Sequence, residues 1–297
     1  MNLLQLKYVL AVEKYRNFSV AADSCYLSQS SLSQQITNLE KELGVRLFNR
    51  TTRTILVTEA GKEFITQAKA ILHSVDILEQ TMHSYSGLLR GTINVGAISS
   101  LEKIKFSSLI TGFYEENPNL TVNISRGNSL VLLDQLEKQN IDIAFLTRPA
   151  TGSYPKIQFE KIGEDEYLLA VPETHALAQR DVVDLAELKD ENFIIHEPSQ
   201  AVSGLCIQAC QSAGFEPKIV CRIDAAMVSM NLVRSGMGLA FFSSEEIDFY
   251  HTYGLKALRL ATPIRKEIVM ATSCKQTPSR LTSVFIEFVK KHIGYYS

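Results

Sequence analysis

Gln29, Ser30, Ser33, Gln34 and Thr37 are neutral hydrogen-bonding residues. On a helix over 29–43 they fall on one face, opposite an apolar face of Leu32, Ile36, Leu39 and Leu43. Hydroxyls and amides without bulk or charge suit the edges of base pairs: Gln can pair bidentately with adenine, and Ser or Thr can meet several bases. The same residues also make an ordinary solvated helix face, and this helix alone does not choose between the two. The segment behind it does. Residues 45–58 read as two short strands around a polar, cationic tip that carries Arg50 and Arg53. Arginines there suit phosphates or the minor groove, contacts that position a protein on a duplex without reading much sequence.

A second set lies beyond residue 91. Ser99, Ser100, Asn128, Ser129, Thr147 and Arg148 each lie beyond the end of a strand-like run, the first four at the start of a helical one. In open sheets of alternating strands and helices, ligands sit beyond the carboxyl ends of the strands, near helix N-termini that favour anions. Hydroxyls at these places fit carboxylates or other small polar groups, and Arg126 and Arg148 favour an anion. Ser99 and Ser129 are equally explained as helix N-caps.

Other chemistry finds little support. The chain has no GxSxG, HExxH or P-loop motif, Gly236-Met237-Gly238 is too short for a dinucleotide fingerprint, and His73, His83, His175, His196, His251 and His292 are scattered. No enzyme activity and no cofactor are expected. Cys25, Cys206, Cys210, Cys221 and Cys274 form an odd set with no regular framework. They read as reduced cytoplasmic thiols. Cys206 and Cys210, four apart, would share a face if that stretch is helical, but zinc needs three or four ligands and no CxxC or HxxxH accompanies them.

The elements that must position these residues are readable. A first helix carries Leu3, Leu6, Val9, Leu10 and Ala11. Asn17-Phe18-Ser19 caps a short second helix led by Ser19, Tyr26-Leu27 forms a tight connection, and Ser28 caps the third helix, which Gly44 stops. Two helices joined this way, followed by a basic hairpin, have winged helix-turn-helix geometry. Thr58 caps a long helix in which Phe64, Ala68, Ile71, Val75, Leu78, Met82, Tyr85 and Leu89 alternate at spacings of four and three. That unbroken heptad seam is narrower than a core-facing stripe and fits pairing with a second copy. The seam is expected to stop at 87–91. From there strands are expected at 92–98, 120–124, 141–146, 167–171, 193–195 and 239–242. Helices are expected from Ser99 through 113–114, at 130–139 and at 224–235. The alternation implies parallel sheets.

The 297 residues suit two or three domains, and 45% hydrophobic with 21% charged residues excludes global disorder. No apolar run approaches the roughly 18 residues of a membrane span, and the N-terminus lacks the features of a signal peptide. The net charge of -2 argues at face value against a nucleic-acid binder. Yet residues 1–58 hold seven basic and four acidic residues, a net of +3, so the remainder carries -5.

The stretch AADSCYLSQSSLSQQITNLEKELGVRLFNRTTRTILVTEAG, residues 21–61, resembles the LysR-type transcriptional regulators. It has their Ala-Ala pair, Ser-Gln helix opening, Ser33, Leu-Glu, Leu-Gly, Leu-Phe, two spaced arginines and Thr-x-Ala-Gly. The layout agrees over essentially the full chain. The resemblance implies an α/β protein with an N-terminal all-α winged helix-turn-helix domain at 1–58. A dimerising linker helix follows at 58–89. The implied effector domain at 91–297 resembles the two-lobed periplasmic-binding-protein fold, lobe I at about 91–161 and 266–297 and lobe II at about 162–265. It implies a cleft between the lobes lined by Ser99 or Ser100, Asn128, Thr147 and the segment from His196 to Ser203. It further implies a cytoplasmic homodimer that joins into a homotetramer, binds double-stranded DNA with dyad-related half-sites, answers to a small-molecule effector and contacts RNA polymerase. Ser30 stands where the family often has Pro, Gln34 where it often has Arg, and Ser243-Ser244 where it often has Pro after a strand. Without a cation at 34, the recognition helix is expected to read bases by neutral groups, leaning towards A·T, with affinity carried by the wing. Cys210 lies near a region where a peroxide-sensing member carries a redox cysteine, although the partner spacing is absent. A redox-responsive regulator using Cys206 or Cys210 is therefore one alternative. A solute-binding protein without DNA function is the other, but it leaves the basic hairpin and the heptad unexplained.

Overall fold

The computed structural model describes residues 1–50, 55–85, 90–198, 201–250, 253–275 and 277–296. The chain divides into two compact units, Met1–Leu88 with Lys138–Asn140, and Leu89–Glu137 with Ile141–Ser297.

The first unit comprises α1 (Leu3–Tyr15), α2 (Phe18–Ser24), α3 (Gln29–Leu43), β1 (Phe48–Arg50), β2 (Ile55–Val57) and α4 (Glu59–Tyr85). Its boundaries follow from side chains that satisfy orphan helix donors. Asn2 and Gln5 form a capping box on α1, Asn17 Oδ1 accepts from Ser19 and Val20 N–H, and Ser28 Oγ accepts from Ser31 N–H. Because Asn17 is the cap, α2 opens at Phe18 rather than Ser19. Gly44 ends α3 at φ +72°, a conformation that glycine adopts without strain. The core joins Val9, Val12, Ala21, Ala22, Leu32, Ile36, Leu39, Leu47, Phe48 and Ile65. Leu43, expected on the buried face, lies exposed at the end of α3.

β1 and β2 pair antiparallel as the expected hairpin, and tip residues 51–54 lie outside the described residues. Two devices hold it in place. Glu40 Oε1 on α3 accepts from the N–H groups of Leu47 and Phe48, at 2.8 and 3.1 Å. Thr58 Oγ1 donates to the Arg46 carbonyl and accepts from Gly61 N–H. The opening turn of α4 therefore sits against the hairpin, which requires Gly61. In α4, Ile65 and Ala68 are buried, whereas Ile71, Leu78 and Met82 are 41%, 59% and 54% exposed. The expected seam is thus two surfaces, an N-terminal part packed on its own unit and an open remainder. Leu89 lies outside the described residues.

The second unit comprises β3 (Gly91–Ala97), α5 (Phe106–Glu116), β4 (Leu120–Arg126), α6 (Ser129–Glu137), β5 (Ile143–Thr147), β6 (Ile157–Pro172), β7 (Val182–Val183), β8 (Asn192–Ile195), α7 (Ala201–Ser212), β9 (Lys218–Arg222), α8 (Ala226–Arg234), β10 (Leu239–Ser243), α9 (Ser244–Tyr250), β11 (Leu255–Leu260), β12 (Ile264–Ser273) and α10 (Arg280–Tyr296). The strand order is β4-β3-β5-β12-β6-β10-β8-β9, with β11 pairing both β6 and β7. β3 pairs β4 and β5 in parallel, and β8 pairs β9 and β10 in parallel. The expectation of parallel sheets holds for these outer strands and for the short β7–β11 pair. β12 runs antiparallel to β5 and β6, and β10 and β11 run antiparallel to β6.

Each half has two cores, one on each face of its strands. In β5, Ile143 and Phe145 pack with Phe113 and Phe285, while Ala144 and Leu146 face Leu132 and Leu136 of α6. In β10, Leu239 and Phe241 share a core with Phe193 and Cys206, while Ala240 and Phe242 face Met230 and Val233 of α8. Covering both faces explains why these strands read as continuous apolar runs.

The helix expected to open at Ser99-Ser100 begins only at Phe106, behind a single 3-10 turn at Glu102–Ile104, so neither serine is an N-cap. Asn128, not Ser129, caps α6, its Oδ1 accepting from Val131 N–H. β6 extends ten residues before the expected start at 167. β9, α9, β11, β12 and α10 were not anticipated.

The Gly61 contact gives a direct test. A Cβ there would overlap the Leu47 carbonyl oxygen and lie 2.8 Å from Val57 Cγ1. Gly61→Ala should destabilise the first unit by about 1–3 kcal/mol, as overpacking does. Urea unfolding checks this, and a loss below about 0.5 kcal/mol, the usual range of surface changes, would refute the close packing.

Candidate functional site

Two sites can be built from these elements, one in each unit. On the first, Gln29, Ser30 and Gln34 are exposed along one side of α3, with Ser33 and Thr37 half-buried beside them. The α2–α3 turn is held by Leu27 N–H donating to Ala22 O at 2.9 Å and by Tyr26 at φ +56°, its ring 97% exposed. Ser28 Oγ is 3.0 Å from Ser30 Oγ, and Gln34 Nε2 donates to Asn38 Oδ1 at 2.8 Å. This second bond fixes the amide of Gln34 on the outer surface of the helix. The hairpin that follows carries Arg50 at the end of β1, while the side chain of Arg50 and all of Arg53 lie outside the described residues. The five neutral residues of α3 are therefore brought together as the sequence implied, beside a hairpin.

The second unit holds a cavity of about 430 Å³. Five strands end at it. Ser99 and Ser100 follow β3, Arg126 ends β4 and Asn128 follows it, Thr147 ends β5, His196 follows β8, and Asp224 follows β9. Ser129 joins them from the first turn of α6. Six of the seven residues expected in a cleft, Ser99, Ser100, Asn128, Ser129, Thr147 and His196, thus line one cavity. Ser203 does not: it is buried within α7, and Ala201 and Val202 take the lining positions. Arg148 is also absent from the lining. Its guanidinium lies 3.6 Å from Glu267 and over the Phe159 ring, so only Arg126 bears on an anion here.

Sequence reasoning missed Tyr167, Glu246, Tyr250 and the role of Lys266. Lys266 is 1% exposed. Its Nζ donates to Ser100 Oγ at 3.1 Å, lies 3.6 Å from Asp165 Oδ2 and stands over the Tyr167 ring at 5.7 Å. A buried ammonium needs such partners. Nothing in the local string IRKEIVM distinguishes this lysine from a solvated one. Glu246 did leave a signal, since Ser243-x-x-Glu246 is a capping-box spacing. Glu246 Oε2 accepts from Ser243 N–H and Oγ–H, and Ser243 Oγ accepts from Glu246 N–H. Ser244 Oγ donates to Asp165. The Ser243-Ser244 pair, where the resemblance led to Pro, is what fastens α9 to the cavity.

Burial holds the imidazole of His196 below its ordinary pKa, against the pull of Glu246, so it is neutral near pH 7, and its Nδ1 is buried without a hydrogen-bond partner. Burial also pushes the Cys206 thiol well up and Cys210 up to about 11. Both stay protonated at neutral pH, which removes the thiolate that peroxide chemistry needs.

Among known proteins, residues 3–62 match the family model "Bacterial regulatory helix-turn-helix protein, lysR family", and residues 86–294 match "LysR substrate binding domain". The transcriptional dual regulator GltC of Bacillus subtilis is 30% identical over 239 residues, 80% of this chain and 79% of that protein. The DNA-binding transcriptional dual regulator OxyR of Escherichia coli is also 30% identical over 239 residues, 80% of this chain and 78% of that protein. Full-length CbnR complexed with its target DNA has the same fold, with a TM-score of 0.73, 20% identity and all of both chains covered. A helix-turn-helix unit of this kind joined to a cavity-bearing α/β unit is the family's architecture, and no helix among the described residues is long and apolar enough to cross a membrane. The chain belongs to the LysR family of DNA-binding transcriptional regulators.

Proposed function

We propose that this regulator works as a dimer that reads two dyad-related half-sites and binds a small polar effector in the cavity of its second unit. The observation that carries the reading is the convergence of five strand ends on one polar cavity, in a chain that also presents the α3 face beside a hairpin. Residues 1–58 are the DNA-binding domain, 58–89 the dimerising helix and 91–297 the effector domain, with lobes at about 91–161 with 266–297 and at about 162–265. Gln29, Ser30, Ser33, Gln34 and Thr37 read bases, and Arg50 and Arg53 grip the backbone. Ser99, Ser100, Asn128, Ser129, Thr147 and His196 hold the effector, and Ser203 supports them from within α7. The open stripe of Ile71, Leu78 and Met82 supports pairing with a second copy. Assembly into a tetramer and contact with RNA polymerase complete the proposal, and the effector shifts the balance between two arrangements by binding one better.

The protonated, buried state of Cys206 and Cys210 favours a ligand-responsive regulator over a thiol switch, despite the likeness to OxyR. Alkylation of the folded chain at pH 7.5 should modify exposed Cys274 before Cys206 and Cys210. A Cys206–Cys210 disulfide found by mass spectrometry after peroxide treatment would overturn this preference.

Two variants separate the parts. Gln34→Ala should cost about 1–3 kcal/mol on the selected operator and relax preference at one base pair. Equal weakening on every single-base-substituted operator would show that Gln34 reads no base. Leu78→Asp should convert dimers to monomers in sedimentation and weaken operator binding about 10²-fold or more, the gain that linked half-sites provide. For the effector, thermal shift on residues 91–297 should find a metabolite that adds about 2.7 kcal/mol at 100 times its Kd.

A further inference from the structure

The two walls of the cavity differ in charge. The wall from the first half carries Ser99, Ser100, Arg126, Asn128, Ser129 and Thr147. It holds a cation and several hydroxyls but no carboxylate. Arg126 has no ion-pair partner among the described residues. Ser100 is committed in one direction: its Oγ accepts from the buried Lys266 ammonium, which leaves its own hydrogen to be donated elsewhere. Asp165 balances the charge of Lys266, so the net positive charge of this wall is that of Arg126.

The opposite wall carries Asp224 and Glu246, with His196 and Tyr250 beside them. Its remaining members, Tyr167, Ala201, Val202, Ala225, Ala226 and Met227, bear no charge. The burial-neutralised His196 does not offset the two carboxylates. Arg222, which donates to the His196 carbonyl at 3.4 Å, is not part of the lining.

We infer that the effector is a dipolar small molecule, a free amino acid or a compound of that class, with its carboxylate held by Arg126, Ser100 and Thr147 and its ammonium by Asp224 and Glu246. This rests on the reading of the cavity as the effector site. A dicarboxylate would set its second charge against Asp224 and Glu246, and a simple cation would face Arg126, so each meets a like charge in a partly desolvated site. The volume of about 430 Å³ lies within the roughly 300–1,000 Å³ of small-ligand sites and accommodates such a molecule.

The test is a binding screen on the full chain by thermal shift and calorimetry. Its probes are the common L-amino acids, the N-acetyl derivative and methyl ester of each, and a set of dicarboxylates and hydroxy acids. The expected result is a free amino acid that binds, with affinity reduced at least about tenfold by N-acetylation, by esterification, by Asp224→Asn and by Arg126→Gln. The melting temperature of each unliganded variant reports whether it folds. Failure of every amino acid to bind overturns the inference, as does an N-acetyl derivative or dicarboxylate that binds as well as the free amino acid. A hit from the other sets whose affinity falls with Thr147→Val overturns the dipolar class and leaves the cavity reading standing. A hit that no cavity substitution weakens overturns the cavity reading itself.

Discussion

Lys266 and Asp165 stand opposite each other in the β6–β12 ladder, both withdrawn from water. Much of the second unit hangs on that pair. An ammonium buried without a counter-charge would cost several kcal/mol, so the ladder is tolerable only with Asp165 in place. Asp165 in turn accepts from Glu166 N–H, Ser244 Oγ and Glu245 N–H, and thereby seats the start of α9. Lys266 reaches Ser100 on the other side. One buried pair thus fixes a hydroxyl from one half and a helix from the other, and the cavity lies between them. Glu245 adds a second tie, its Oε1 accepting from Glu102 N–H while burial raises its pKa.

The first unit depends on a smaller constraint. Thr58 and Gly61 lock the opening turn of α4 to the hairpin, and Glu40 locks the hairpin to α3. The α3 helix, the described strands of the hairpin and the opening turn of α4 are therefore tied to one another. Past Ala68 the helix exposes its apolar stripe, which a single chain leaves in water at some cost. The net charge of -2 loses its force as an argument against DNA once divided, because residues 1–58, which carry the α3 face and the hairpin, hold a net +3.

The family is shown by matches to both units, yet neither match reaches the ligand. The chain's own departures carry that information. Gln34 bonds to Asn38 instead of offering a cation, and Ser243 and Ser244 replace an expected proline with a capping box and a bond to Asp165. Such differences set what a shared fold reads and holds.

Local chemistry decided much of the first unit from the sequence alone. Caps at Ser28 and Gly44, the 4-3 spacing of Leu32, Ile36 and Leu39, and the basic hairpin all act within a few residues of themselves, and α2 missed only because Asn17 caps one residue earlier. The alternating strands and helices of the second unit were equally legible up to β5, since strands covered on both faces leave continuous apolar runs. Legibility failed where the determinant was distant. β12 hides a buried lysine inside a charged-looking string, and only Asp165, about a hundred residues earlier, makes it a strand interior. The cavity followed the same division. Strand ends and hydroxyls marked Ser99, Asn128 and Thr147, but the opposing carboxylates of Asp224 and Glu246 acquire meaning only when folding sets them across from Arg126. Periodicity and capping are written in neighbouring residues, whereas the sign of charge across a cavity is set by segments that meet only in three dimensions.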